Sequence, residues 1–409
     1  MMHRALLPAG ALLLALLPGH SRAATPEATP NVVLNPPERE EALKLYDEYK
    51  MAQAYPLLQK LAEANPRDAI IWERCGVAML SYAETLPDPA QRKLARAKSR
   101  EILLKAKALG DDSNLLKTLL NLIPPDGGNS AFSSRKDADD AMQQAEADFA
   151  RGDFDKARAG YEHALILDSK LYEAALFSGD ACYKQNNNAL AIEWYDRAVH
   201  IDPNRETAYR YWGDSLMAEG KMDSARTKYI EAVVAEPYAD RPWTGLSQWA
   251  EKNNVTLTPL RLQTHAGVQM KNHDVVVSVD SAIANESVDT AAWTAYAVNR
   301  SGWMIARFKE NFPGETAYRR TLLEESEALH TMVSVLTGLA EKKDGGQPSD
   351  PALERLVKIE HAGLLEAYVL IERADEDIAR DYAAYRAAHR DKLLRYLDEY
   401  LVPKLSGQY

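Results

Sequence analysis

The chain has 409 residues and a formal net charge of −11, from 49 Lys and Arg against 60 Asp and Glu. Its 46% hydrophobic content excludes a wholly disordered chain, and its two cysteines exclude a disulfide scaffold. The acidic balance disfavours a broad nucleic-acid-binding surface. A prior of roughly 150 residues per domain predicts two or three structural units.

Residues 1–23 have the pattern of a secretory signal peptide. A basic start precedes an apolar run over 5–17, and the small residues Ser21 and Ala23 mark a cleavage site. The run, of about 13 residues, is too short to span a membrane, which takes roughly 20. We therefore predict an exported protein, periplasmic or secreted, with no transmembrane segment after cleavage and a short linker over 24–34.

An exported chain meets an oxidising compartment, so its cysteines have two possible states. Cys75 and Cys182 either form a disulfide bond or are two small buried hydrophobic side chains. Both fall at core positions of the helical repeats described next, well apart in the array, and a disulfide needs Cα atoms within about 7 Å. We expect both thiols to stay unpaired.

A period of 34 residues runs through the middle of the chain. The pairs at this interval are Gly179 and Gly213, Ala191 and Ala225, Tyr195 and Tyr229, Ala198 and Ala232, and Pro203 and Pro237. Within 206–239, apolar residues three to four apart indicate one helix face, Gly220 indicates a break and Pro237 a helix end. A single helix pair cannot bury its own apolar face, whereas stacked pairs can.

This spacing resembles the motif of the tetratricopeptide repeat family. The matching residues in 206–239 are Tyr209, Trp212, Gly213, Leu216, Gly220, Ala225, Tyr229, Ala232 and Pro237. The predicted segments are a divergent repeat pair over 35–112, a linker loop over 113–137, repeats over 138–171, 172–205 and 206–239, and a partial repeat over 240–250. The resemblance implies stacked helical hairpins whose first helices line a concave groove.

The period vanishes after about residue 250. A connector over 251–288 carries two β-prone runs, 255–258 and 275–279, which predict a small hairpin. The C-terminal region 289–409 has apolar stripes that predict four helices, over 289–312, 315–342, 351–373 and 375–402. The predicted fold is therefore mostly all-α: a tetratricopeptide-like superhelix, a small β-hairpin and a C-terminal four-helix region.

Three polar residues, Arg300, Glu360 and His389, interrupt apolar stripes of these C-terminal helices. One interpretation is a buried polar cluster that serves an enzyme or ligand-binding site in 289–403, with the repeats recruiting its substrate. The alternatives are a structural ion pair plus a satisfied histidine, or positions at the exposed edge of each stripe. The interpretations differ in whether the three side chains converge.

Catalytic and cofactor motifs are not found in the sequence. There is no phosphate-binding glycine loop, dinucleotide fingerprint or nucleophile signature. A single Glu-x-x-His pattern, Glu327 with His330, is what helix composition produces by chance, because a di-iron site needs two such patterns and further carboxylates. We predict no catalytic residue, no cofactor and no metal.

The resemblance also implies which residues face the groove. Transferred repeat by repeat, they are Met142, Glu146, Phe149, Leu176, Asp180, Tyr183, Lys184, Arg210, Asp214 and Met217. Some family members hold a peptide's terminal carboxylate with Lys and Asn, but the equivalent positions here include three acids that would repel it. We predict a non-enzymatic scaffold protein that binds a basic protein or peptide segment. The alternative is a solvated acidic face that binds nothing.

Overall fold

The computed structural model describes residues 36–86, 88–128, 131–271, 274–283, 287–342 and 346–405. The predicted signal peptide and the 24–34 linker lie outside the described residues. The chain divides into two compact units, Met1–Ser134 and Arg135–Tyr409. The described part is predominantly helical with one small β-hairpin, which confirms the predicted fold class.

The described helices of the first unit pack in chain order, each against the next. They are α1 (Pro36–Asp47), α2 (Met51–Ala64), α3 (Ala69–Thr85), α4 (Pro89–Ala108) and α5 (Asn114–Leu122). The indole of Trp72 donates a hydrogen bond to the carbonyl of Pro66, 3.1 Å away, six residues earlier. In the second unit, Tyr209 donates to Pro203 and Trp243 to Pro237 over the same interval. The divergent pair thus uses the same turn as the regular repeats.

The expected linker over 113–137 is only partly a loop. Leu116, Leu119 and Leu120 are buried on one face of α5, so this segment is part of the hydrophobic core of the first unit. The Arg96 guanidinium donates to the carbonyl of Gly127 at 3.1 Å, and Arg100 donates to carbonyls at the end of α5. Residues 113–128 are therefore packed against α4.

The second unit begins with helices arranged as successive hairpins. They are α6 (Lys136–Ala150) with α7 (Phe154–Leu167), α8 (Tyr172–Lys184) with α9 (Asn188–Ile201), α10 (Glu206–Ala218) with α11 (Met222–Ala235), and then α12 (Asp240–Lys252). The positive backbone φ angles at Gly152, Asn186, Gly220 and Asn254 recur every 34 residues. Glycine and asparagine tolerate this left-handed conformation best, so each tight turn keeps the period.

The predicted β-hairpin is present, but its first strand lies later in the chain than expected. Strand β1 (Ala266–Lys271) pairs antiparallel with β2 (Asp274–Val279), in the register Ala266 opposite Val279. Residues 255–258 are not a strand. The backbone N–H of Thr258 instead donates to the carbonyl of Leu401 at 2.8 Å, which ties this run to the end of the chain.

The C-terminal helices are shorter and more interrupted than the four predicted. They are α13 (Ser287–Gly302), extended by a π-helical turn (Trp303–Arg307) and α14 (Phe308–Asn311); α15 (Leu322–Ala340); α16 (Pro351–His361); α17 (Leu365–Tyr368), extended by a π-helical turn (Val369–Arg373); α18 (Glu376–Ala379); and α19 (Tyr382–Tyr396), extended by a π-helical turn (Leu397–Leu401). Residues 312–321 are not helical. The third predicted helix breaks at Gly363, whose φ is +71°, and α19 is kinked at His389.

The repeats and the C-terminal helices of the second unit share one hydrophobic core, which runs from Leu216 to Val402. The buried guanidinium of Arg226 on α11 donates to the carbonyls of Asp398 and Pro403, at 2.9 and 3.2 Å. The hydroxyl of Tyr382 on α19 donates to the carbonyl of Val234 at 2.6 Å. The C-terminal helices therefore cover the second helix of the last hairpin.

Candidate functional site

A tyrosine and an acid pair in the same way in each regular hairpin. The hydroxyl of Tyr195 on α9 donates to the Asp180 carboxylate on α8 at 3.0 Å. Tyr161 donates in the same way to Glu146, and Tyr229 to Asp214. Each pair is 15 residues apart, and successive pairs are 34 apart. The carboxylates of the first helices are thus held in equivalent orientations along the array.

The small residue before each acid makes this contact possible. A Cβ atom added at Gly179 would lie 2.5 Å from Cε1 of Tyr195, and one at Gly213 would lie 3.0 Å from Cζ of Tyr229. The tyrosine ring therefore lies directly against the backbone of the first helix. Its hydroxyl then reaches the acid that follows the glycine.

The Asp214 carboxylate lies where neighbouring hairpins meet. Burial raises its pKa, while the Tyr229 hydroxyl and the Arg210 guanidinium oppose that rise. Burial, and then the charge of Asp214, raise the pKa of Tyr183, which belongs to the preceding hairpin. Side chains from α8 and α10 therefore share one electrostatic environment.

Arg210 balances part of this negative charge. Its Nε atom lies 2.9 Å from the Glu206 carboxylate one turn earlier, and its guanidinium stacks over the ring of Tyr211 at 4.7 Å. A Cβ atom added at Gly245 on α12 would lie 3.0 Å from the Arg210 side chain. Arg210 is thus held between Glu206 and the next hairpin, and its charge acts on both Glu206 and Asp214.

The structure divides the predicted groove residues into two sets. Four of them are less than 10% exposed and belong to the packing of the hairpins, which corrects their predicted place on the groove surface: Met142, Phe149, Leu176 and Asp180. The others are partly exposed, and we call them the first-helix surface: Glu146, Tyr183, Lys184, Arg210, Asp214 and Met217. Only this second set is accessible to a partner.

Arg300, Glu360 and His389, which one interpretation of the sequence placed in a single buried polar cluster, do not converge. Nε of Arg300 lies 3.0 Å from the Glu324 carboxylate, whereas Glu360 pairs with Nδ1 of His330 at 2.8 Å. His389 is exposed at the kink in α19. The kink interrupts the apolar stripe of α19 at His389, and Arg300 and Glu360 pair with different residues of α15.

The buried polar cluster of this region is centred instead on Glu325, which is fully buried. It accepts hydrogen bonds from the Tyr296 hydroxyl at 2.8 Å, from Arg320 at 2.6 Å and from Nε of Arg373 at 2.9 Å. The preceding Glu324 accepts from Arg300 and from the Tyr318 hydroxyl. Each buried carboxylate is therefore paired and hydrogen-bonded.

A sequence signal for this cluster exists but was missed. Thr321 and Glu324 form a Thr-x-x-Glu pattern, which is typical of a helix start. The Thr321 side chain accepts from the backbone N–H of Glu324 at 3.1 Å, so α15 begins there. The pattern would have predicted that Glu324 and Glu325 lie in the first turn of α15, close to the basic pair Arg319 and Arg320.

The Glu-x-x-His pattern serves two separate contacts. The Glu327 carboxylate accepts from the indole of Trp303 at 2.9 Å and pairs with Arg307 at 2.6 Å. His330 faces Glu360 instead. The two side chains contact different helical segments, so Glu327 and His330 stabilise helix packing.

Both cysteines are buried free thiols, which confirms the expectation that they are unpaired. Burial raises the pKa of Cys75 to about 12 and that of Cys182 to about 11. Thiols are reactive as thiolates, so both are poor nucleophiles in the folded protein. Within the described ranges, every helix is too short or too polar to cross a membrane.

Residues 142–206 match the family model for the tetratricopeptide repeat. Over these residues the chain is similar to the tetratricopeptide repeat. The match falls on the hairpins α6–α7 and α8–α9 and the turn into α10, where the tyrosine–acid pairs begin.

Curated relatives are similar over a short stretch of this chain. A probable UDP-N-acetylglucosamine–peptide N-acetylglucosaminyltransferase, SPINDLY, from Solanum lycopersicum is 33% identical over 98 residues. That stretch is 24% of this chain and 10% of the tomato protein. The Arabidopsis thaliana SPINDLY is 32% identical over 97 residues, which is 11% of its length. The chain therefore spans about a tenth of the length of these relatives.

Solved structures with similar folds include tetratricopeptide repeat domains. The first such domain of Spaghetti, bound to an HSP90 peptide, is 19% identical with a TM-score of 0.27, over 28% of this chain and 91% of that one. The Sgt2 domain from Aspergillus fumigatus is 20% identical with a TM-score of 0.28, over 31% of this chain and 85% of that one.

Proposed function

We propose that the first-helix surface binds a protein segment that carries a lysine or arginine next to an apolar residue. The tyrosine–acid pairs, repeated on successive first helices, carry this proposal. Tyr229 occupies one hydrogen-bonding position of the Asp214 carboxylate, and a carboxylate has about four such positions. Asp214 is also partly exposed, so its carboxylate can accept a further hydrogen bond from a cation.

Apolar side chains beside Asp214 support the proposal. Met217 Sδ lies 3.3 Å from the Tyr229 hydroxyl, next to the carboxylate. The side chain of Tyr183 is partly exposed, and the charge of Asp214 contributes to its raised pKa. A partner could therefore bury an apolar side chain against Met217 and Tyr183 while its cation pairs with Asp214. A charge-assisted hydrogen bond of this kind contributes about 1.5–3 kcal/mol.

Peptide binding to the full chain tests the proposal. Two peptides that differ only in having lysine or glutamate at the same position would be compared by fluorescence anisotropy at low and high salt. The combined Glu146→Gln and Asp214→Asn variant should bind the lysine peptide at least about tenfold more weakly, because the loss of a single charge-assisted contact of about 1.5 kcal/mol already lowers the affinity by that factor. The matched control is Glu193→Gln, which changes an exposed acid on the second helix α9.

The salt and pH dependence sharpen this test. Binding of the lysine peptide should weaken with salt, since exposed charges are screened. It should also weaken on acidification from a higher pH than an ordinary aspartate would give, because the pKa of Asp214 is raised. Preference for the glutamate peptide, an absent salt effect, or equal losses in the Glu193→Gln control would each contradict the proposal.

The proposal includes a scaffolding role in an exported protein. The pattern of residues 1–23 supports export, since a basic start, an apolar run and small residues follow the order of a secretory signal. N-terminal sequencing of the protein from its native source should begin at Ala24. A mature protein that retains residues 1–23 inside the cell would contradict export and leave the binding proposal standing.

A further inference from the structure

The pairing of β1 with β2 determines where their backbone groups point. The backbone N–H of Asp280 donates to the carbonyl of His265 at 2.7 Å, so this pair extends the register by one position beyond Ala266 opposite Val279. Directly opposite residues in an antiparallel pair alternate between hydrogen-bonded and non-hydrogen-bonded pairs. Val275, Val277 and Val279 therefore direct their N–H and C=O groups away from β1.

The two outer edges of the hairpin differ in exposure. On β1, the outward-directed residues Ala266 and Val268 are 8% and 9% exposed, and Met270 near the end of the strand is 55% exposed. On β2, Val277 is 39% exposed and its neighbour Val276 is 46% exposed. The backbone groups of Val275, Val277 and Val279 have no hydrogen-bond partner among the described residues. The outer edge of β2 therefore carries unpaired backbone groups beside a side chain that is exposed at the centre of the strand.

We propose that this edge takes an extended segment of a partner protein as an added β-strand. The outward groups of Val275, Val277 and Val279 offer three donors and three acceptors, which is the main-chain pattern used when a peptide joins a sheet. Unpaired strand edges are templates for such pairing. The hairpin packs against α13, which holds the edge in place.

The charged residues beside the β2 edge determine which kind of partner segment fits it. Asp274 and Asp280 flank the valine-rich edge, and both are exposed. Hydrogen bonds from the backbone N–H of Ala282 and from His265 lower the pKa of Asp280, which keeps it ionised. A segment with an apolar, β-branched centre and a lysine or arginine at each end is complementary to this edge.

The same charges disfavour a second copy of the chain. The antiparallel self-pairing that uses all of the outward valines is centred on Val277 and places Asp274 opposite Asp280, twice. Like charges directly opposite each other destabilise a strand pair. The geometry therefore points to a different protein as the partner.

A backbone substitution tests the inference. Val277→Pro removes an outward N–H and no hydrogen bond to β1, and proline is tolerated on an edge strand with its nitrogen facing solvent. Val277→Thr is the matched control, because it keeps the N–H and the β-branched shape. Both would be made in the chain that also carries Glu146→Gln and Asp214→Asn, so that the first-helix surface does not contribute to binding.

The probe is a capped peptide, Lys-Val-Thr-Val-Thr-Val-Lys, compared with its Glu-ended form. We expect the lysine peptide to bind the Thr control and to slow amide hydrogen exchange at residues 275, 277 and 279. Binding should fall about tenfold with Val277→Pro or with the Glu-ended peptide, the loss expected from roughly 1.4 kcal/mol. Equal binding by the Pro and Thr variants would overturn the inference. A dimer in sedimentation that Val277→Pro abolishes would also overturn it, in favour of a second copy.

Discussion

A Glu325→Gln variant is expected to lose about 3–5 kcal/mol of unfolding free energy, the range for removing one partner of a buried ion pair. Burial by itself raises the pKa of Glu325, but Arg373, followed by Arg320, lowers it below the ordinary value. The folded protein therefore stabilises the ionised carboxylate of Glu325 more than water does. Glutamine would leave Arg373, whose side chain is 11% exposed, without its carboxylate.

The neighbouring Glu324 provides the sharpest comparison. Burial raises its pKa, and the Tyr318 hydroxyl and Arg300 only partly oppose this. Its charged form is thus disfavoured in the folded state, and Glu324→Gln should lose less stability than Glu325→Gln. Urea unfolding followed by circular dichroism measures both, with the exposed Glu354→Gln as control.

The pH dependence of this prediction has a definite sign. A lowered pKa gives Glu325 a stabilisation that is present above its unfolded-state pKa and is lost as pH falls through the folded-state value. The gap between the wild type and Glu325→Gln should therefore close in acid. The raised pKa of Glu324 acts oppositely, because its contribution is lost as pH rises. A gap for Glu325→Gln that widens in acid would refute the assignment.

A Gly179→Leu variant is expected to lose about 3 kcal/mol or more, because overpacking a tight core forces side chains from their rotamers or shifts the backbone. A Cβ atom at Gly179 would already lie 2.5 Å from Cε1 and 2.7 Å from Cδ1 of Tyr195. Tyr195 has no exposed area, so its ring has no open space to enter. The hydrogen bond from Tyr195 to Asp180 should break as well.

Graded and control variants make this second prediction specific. Gly179→Ala should lose less than leucine does, and Gly213→Ala less again, because its Cβ would lie 3.0 Å from Tyr229. Gly338→Ala in α15 meets nothing within 4 Å and should gain about 0.5–1 kcal/mol from reduced chain entropy. Thermal unfolding gives the order, and an equal gain at Gly179 and Gly338 would show that the contact with Tyr195 is unimportant.

The regular hairpins could be predicted because their determinants are local. Gly152 and Gly220 provide tight turns, and Pro203 and Pro237 end helices at the repeat interval. The turn at Asn186 was not recognised, although it has the same positive φ, because asparagine is a weaker signal than glycine. Interval and turn chemistry together were enough for the architecture of 138–245.

The accessible part of the site was harder to predict. The family spacing selects Asp180 and Asp214 equally, yet Asp180 is 6% exposed while Asp214 is partly exposed. Both accept a hydrogen bond from an equivalent tyrosine. Exposure depends on which side chains the next hairpin places above each acid, and a motif position carries no information about that.

By itself, the sequence determined the repeated hairpins and the direction in which each apolar face points, because residues within 34 positions of one another specify them. Only the tertiary structure decided that Glu325 accepts hydrogen bonds from Arg320, Arg373 and Tyr296, and that the C-terminal helices share a core with α11. Except for the one between Arg320 and Glu325, these contacts join residues far apart in the chain. Their selection depends on shape and on the cost of burying unpaired charge, which no periodic pattern encodes.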